Sequence, residues 1–246
     1  MKRIGWKALF GSSLVAISIV LYIFHYVLFR DAHHIFLWSV TSLAFLPISV
    51  LFVTLIINQL LSLREKRALM EKLNMIIGVF FSEVGTPLLT YFSDFDPQLG
   101  SIRKDLIVTN DWSKQEFSRV SERLRSYHFG VAIDKIDLEK LRSFLIEKRS
   151  FLTHLLENPN LLQHESFTQP LQAIFHLTEE LAFRDDVRRL PDTDYQHLAG
   201  DMKRAYSLLV HQWLDYMRYL KNDYPYLFSL SMRTNPFDQE SSPIVK

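Results

Sequence analysis

Two uncharged runs near the start of the chain constrain it more than any other feature. Ala8 to Phe29 holds no Lys, Arg, Asp or Glu, and neither does Ile35 to Ile57. As α-helices, these runs extend roughly 33 and 35 Å, enough for a hydrocarbon core of about 30 Å. The first run is too long for an ordinary signal-peptide core, and no small-residue cleavage site follows Phe29. The pattern predicts a transmembrane helical hairpin over residues 1–62, with spans at 8–29 and 35–57.

Orientation follows from the basic residues beside the spans. Lys2, Arg3 and Lys7 precede the first, and Arg64, Lys66, Arg67 and Lys72 follow the second. Only Arg30 lies in the connecting RDAHH. Both termini are therefore expected in the cytoplasm, with the chain in the cell (inner) membrane. Trp6, Tyr26 and Trp38 stand near span ends, where amphipathic rings favour the headgroup region. Pro47 is expected to kink the second span.

Beyond residue 62 the charges nearly balance, with a net of −2. That argues against a nucleic-acid partner, which needs a concentrated basic surface. There is no cysteine, so disulfides, thiolate metal sites and cysteine nucleophiles are excluded. Apolar residues recur at helical spacing almost throughout. Leu69, Leu73, Ile76, Ile77 and Phe80 share one face. Asp96-Pro97 reads as a cap with proline in the first turn, and Asp111 as the cap of a helix ended by Gly130. A leucine stripe runs from Leu138 to Leu156, before Asn158-Pro159. Gln169-Pro170 reads as the start of another helix, and Asp192 or Thr193 as the start of the last long one, which stops before Pro225. The expected architecture is all-α: the hairpin, then a cytoplasmic helical bundle over residues 63–232, then a disordered tail over 233–246.

The stretch FFSEVGTPLLTYF, residues 80–92, bears on function. Gly85, Thr86 and Pro87 read as a corner between two helices, Thr86 capping the second. Ser82-Glu83-Val84-Gly85-Thr86-Pro87-Leu88 also resembles, weakly, the phosphoacceptor box of sensor histidine kinases, S-H-E-L-R-T-P-L. Thr86, Pro87, Leu88 and Glu83 match, but Ser82 replaces the histidine and Gly85 the arginine. Without its nucleophile the box implies no phosphotransfer. Across LNMIIGVFFSEVGT, HLAGDMKRAY and YPYLFSL the chain resembles an uncharacterised family of small two-span prokaryotic membrane proteins. That resemblance implies architecture and no activity.

Candidate chemistry is sparse. His25, His33 and His34 fall near one end of the hairpin without a recognised metal-ligand spacing. His176 and Glu179 lie three residues apart, as do Asp194 and His197, but a di-metal bundle needs two Glu-x-x-His units and further glutamates. No G-x-S-x-G, H-E-x-x-H or phosphate-binding glycine loop is present. Asn235-Pro236-Phe237 matches a tripeptide bound by endocytic adaptor domains, a match of three residues only. Aromatics crowd the end of the bundle, Trp213 among them. The residues singled out for a functional role are Glu83, His176, Glu179, His197 and Trp213, with no metal or cofactor expected. The function read from this is a non-catalytic, membrane-anchored interaction or signalling module. Its expected partners are the lipid bilayer and either a second copy or another membrane or cytoplasmic protein. The alternatives are a metal- or lipid-handling membrane enzyme and a small oligomeric channel or transporter subunit.

Overall fold

A computed structural model describes residues 6–162 and 164–245. Lys2 and Arg3, used in the orientation argument, lie outside the described residues. The chain forms two units, Met1–Arg67 and Ala68–Lys246. Among the described residues every regular element is helical, as the periodicity predicts.

In the first unit α1 covers Trp6–Phe29, and α2, Ala32–Phe80, begins there. The turn between them is shorter than RDAHH: His33 and His34 already belong to α2. Arg30 adopts a left-handed φ of 48°, and its N–H donates to the Tyr26 carbonyl at 2.8 Å. Asp31 caps α2 by accepting the His34 N–H at 3.0 Å. The His25 and His34 rings stack 6.0 Å apart. Leu9–Phe29 and the apolar part of α2 are long and apolar enough to cross a membrane, and no residue of either apolar window is buried.

The second unit takes in the rest of α2 and then departs from expectation at residues 80–92. No corner forms. A π-helical turn, Phe81–Gly85, joins α2 to α3, Thr86–Asp94. Thr86 is helical rather than a cap, and its N–H donates to the Phe81 carbonyl five residues back. Pro87 is the physical reason. Its ring crowds the carbonyl four residues before it and it offers no N–H, so the wider turn accommodates a proline that a regular helix would not. Gly85 is required for a different reason than a sharp turn: a Cβ there would lie 2.5 Å from Phe81 Cδ1.

Asp96-Pro97 opens no long helix; short 3-10 turns follow at Leu99–Ser101 and Arg103–Leu106. Ser113, not Asp111, caps α4, Lys114–Arg125, through a capping box with Glu116. That helix ends well before Gly130. A 3-10 turn, Ile133–Lys135, leads to α5, Leu138–Leu156, capped by Asp137 and bearing the anticipated leucine stripe. After α6, Pro159–Leu162, α7 covers Glu165–Ala182 and so starts five residues before Pro170. Pro170 is buried near its N-terminus, where the carbonyl it deprives of a donor belongs to exposed Ser166. The last long helix, α8, is Asp192–Asp223, and α9 is Pro225–Arg233.

Helix α8 is the axis of the bundle: α3, α4, α7 and α9 pack on it, and α5 packs on α7. Tyr206, fully buried on α8, meets Phe92 and Phe129 at centroid distances of 5.7 and 5.1 Å. The tail corrects the sequence reading. Asn235 and Phe237 are each 1% exposed. Asn235 Nδ2 donates to the Leu106 carbonyl at 2.8 Å, its Oδ1 accepts the Phe237 N–H, and the Phe237 ring meets Trp213 edge-on at 5.0 Å. Asn-Pro-Phe is therefore a structural turn whose phenyl completes the core, and its burial withholds it from any adaptor domain. A large apolar side chain four residues past a helix end gains more from burial than a polar tail loses in freedom.

Candidate functional site

Helices α7 and α8 lie side by side, and each brings a histidine and a carboxylate to one place. On α7 these are His176 and Glu180; on α8 they are His197 and Asp201. Both pairs are four residues apart, so each pair shares one helical face. One ligand atom from each of the four residues lies within 4.8 Å of the others. His176 Nε2 is 3.7 Å from Glu180 Oε1 and 3.4 Å from Asp201 Oδ2. His197 Nε2 is 3.6 Å from Glu180 Oε2 and 3.3 Å from Asp201 Oδ2.

The four differ in exposure. The imidazoles are about half exposed, whereas Asp201 is buried, 3% exposed, in the stripe of Leu198, Met202 and Ala205. Its Oδ1 pairs with Arg204 at 3.2 Å. Its Oδ2 is buried and has no hydrogen-bond partner among the described residues: the two imidazole contacts are short but lack hydrogen-bond geometry. An unpaired buried carboxylate oxygen carries a large desolvation cost unless a cation or proton meets it.

A ring of arginine contacts surrounds the cluster. Arg184 donates from Nη1 to Glu180 Oε2 at 2.7 Å and forms a two-pronged pair with Asp194, at 2.8 and 2.6 Å. It also reaches the Glu180 carbonyl. Hydrogen bonding to Arg184 holds the Glu180 and Asp194 carboxyls below the ordinary carboxylate range. Asp201 thus turns Oδ1 to an arginine and Oδ2 to both imidazoles, whereas Glu180 faces His176 with Oε1 and shares Oε2 between Arg184 and His197.

Of the residues singled out in the sequence, His176 and His197 are brought together, and the others are not. Glu179 points elsewhere and accepts from Arg149 Nε at 2.7 Å. Its neighbour Glu180 takes the place expected for it, because four-residue spacing and not three aligns with His176. Asp194 serves Arg184 and not His197. Glu83 is on the exposed side of the π turn, 3.0 Å from Lys148 Nζ, a bond that raises the lysine pKa. Trp213 is 3% exposed and belongs to the core, its edge lining an apolar cleft of about 400 Å³ with Phe81, Tyr216 and Leu227. Glu180 and Asp201 were missed. The signal for them is present as H-x-x-x-E and H-x-x-x-D, with Asp201 interrupting an apolar stripe.

The comparisons with known proteins agree with the helical reading. Residues 69–233 match the family model for the C-terminal helical domain of "Uncharacterized protein MJ1433", and residues 2–61 match the model for its N-terminal helical domain. The protein of that name from Methanocaldococcus jannaschii is 44% identical over 228 residues, covering 93% of this chain and 92% of the relative. No solved structure matches the chain. The phosphoacceptor-box resemblance gains no support, since neither family match nor the relative shows such a box. By the extent of both matches, this all-helical chain belongs to the MJ1433 family.

Proposed function

We propose that the chain is a membrane-anchored helical module, held by its two apolar helices with both termini in the cytoplasm, that acts by binding a second copy of itself or another protein. The observation that carries this reading is the exposure of the apolar runs. Phe10, Ile23, Leu28, Phe36, Leu43, Phe52 and Leu55 are each more than half exposed. Such a surface is driven out of water and into a bilayer. The basic residues beside the spans supply the orientation. The Leu69–Phe80 part of α2 enters the core of the helical domain through Leu73, Ile77 and Phe80, which gives a signal a packed path.

Fractionation and topology test it. The chain should remain in the membrane pellet after alkaline carbonate extraction. A C-terminal fluorescent fusion should light up, and a C-terminal phosphatase fusion should stay inactive. Recovery in the soluble fraction would remove the anchor, and an active phosphatase would reverse the orientation. The four-residue cluster favours a second reading, metal handling.

A further inference from the structure

We propose that His176, Glu180, His197 and Asp201 bind one divalent transition-metal ion of the zinc class. The proposal stands apart from the membrane reading and rests on the facing surfaces of α7 and α8.

Four observations converge. The donor set is two imidazole nitrogens and two carboxylate oxygens, which suits zinc, and by the same chemistry cobalt(II). Magnesium and calcium call for six or more oxygens, which this cluster does not provide. The spacing fits as well. In a tetrahedral zinc site with bonds of about 2.0–2.1 Å, neighbouring ligand atoms sit roughly 3.3–3.4 Å apart. Asp201 Oδ2 lies 3.4 and 3.3 Å from the two imidazole nitrogens, and Glu180 approaches them at 3.7 Å through Oε1 and 3.6 Å through Oε2.

The third observation is Asp201 Oδ2, buried, without a hydrogen bond and aimed between both imidazoles. A cation there would satisfy it. The fourth is the outer ring. Arg204 holds the other oxygen of Asp201, and Arg184 fixes Glu180 through Oε2 while Asp194 neutralises the arginine, which leaves Glu180 Oε1 facing His176. Metal-ligating carboxylates are commonly fixed by such outer partners. The half-exposed imidazoles leave a path for the ion from solvent. With two ligands from each helix, the ion would tie α7 to α8 and couple metal supply to the stability of the bundle.

The test uses the full chain, without a histidine tag, purified in detergent and stripped with chelator. Cobalt(II) is titrated in while the visible spectrum is followed, and zinc is then added. The expected result is one cobalt per chain, the intense visible bands of a tetrahedral complex, their loss on adding zinc, and a higher melting temperature with either ion. Asp201→Asn and His197→Gln should each weaken binding by at least the roughly 10–100-fold seen for outer-shell changes, with unchanged helical circular dichroism. Arg204→Gln should weaken it by about 10-fold. Failure of the folded parent to bind cobalt overturns the proposal. So does binding that survives both Asp201→Asn and His197→Gln. Binding lost only with His25→Gln and His34→Gln would place the ion on the N-terminal helices and overturn it equally. If Asp201→Asn loses its helical signal, His176→Gln takes its place under the same criteria.

Discussion

Among the described residues of the helical domain two aspartates are buried, and they are treated in opposite ways. Asp96, 8% exposed, has both oxygens engaged: Oδ1 accepts the Gln98 N–H at 3.0 Å and Oδ2 accepts the Tyr127 hydroxyl at 2.7 Å. Asp201, 3% exposed, has one oxygen on Arg204 and the other on nothing but imidazole edges. Burial of a carboxylate is tolerated when neutral donors or a cation meet it. Asp96 is complete within the chain and its role is structural. Asp201 is incomplete within the chain, and that difference marks one aspartate as part of the scaffold and the other as part of a site.

Replacement by alanine should expose the contrast most strongly. Asp96→Ala leaves the Tyr127 hydroxyl and the Gln98 N–H without an acceptor, and should destabilise the full chain by roughly 3 kcal/mol. Asp201→Ala, in metal-free protein at pH 8, should not destabilise the chain by more than about 1 kcal/mol and should stabilise it where the desolvation cost of Oδ2 outweighs the pair with Arg204, because the lost Oδ2 held no hydrogen bond. Urea unfolding in detergent measures both. Equal costs would mean that Asp201 is already satisfied and the distinction fails.

Tyr127→Phe sharpens the structural half. It leaves a charged oxygen of Asp96 unpaired, for a loss of roughly 2 kcal/mol. The effect has a defined pH window. Burial first, and Asp96 second, raise the Tyr127 pKa above its ordinary value of 10. The folded state therefore holds this proton more tightly than the unfolded state. Its contribution is complete below pH 10 and falls as pH rises toward the raised folded value. Parent and Tyr127→Phe should converge in alkaline solution, and a constant gap would sink the assignment.

How much of this was legible before the fold was known differs between the two aspartates. Asp96 looked like a helix cap because Asp-Pro is good cap chemistry. Its real partner, Tyr127, is far along the chain, and local pattern carries no information about such a contact. The cluster was half legible. The histidines stood out by type, but the choice between Glu179 and Glu180 depends on helical phase, which packing of α7 against α5 and α8 decides. Helix α8 was readable to within a residue because its periodicity is long and Pro191 and Pro225 bracket it. The π turn was hidden, since Pro87 with Gly85 fits a corner as well as a widened turn. The burial of Phe237 was hidden by the polar residues around it.

Arg184→Ala tests the site half. Arg184 joins Glu180 and Asp194, and all three side chains keep partial solvent contact, so the expected cost is only roughly 1 kcal/mol at pH 7. Both carboxyl pKa values are lowered by Arg184. The contribution is thus fully present above the ordinary values of 4.5 and 3.8, and is lost as pH falls through the lower folded values. Parent and variant should differ at pH 7 and approach each other near pH 3. A gap that widens in acid would contradict the pairing.

The smallest expected effect discriminates most finely. Glu179→Gln breaks only the pair with Arg149, whose side chain is 52% exposed, and an exposed ion pair contributes little. Its melting temperature and its cobalt affinity should match the parent within error. Glu180→Gln, one residue on, keeps the length of the side chain but removes a charged ligand and the anion that Arg184 holds. Its cobalt affinity should fall by at least roughly 10-fold. The two variants differ by a rotation of about 100° around α7. If Glu179→Gln were the one that lost the ion, α7 would have to present its other face to α8, and Asp201 would no longer be the deep end of a shared site.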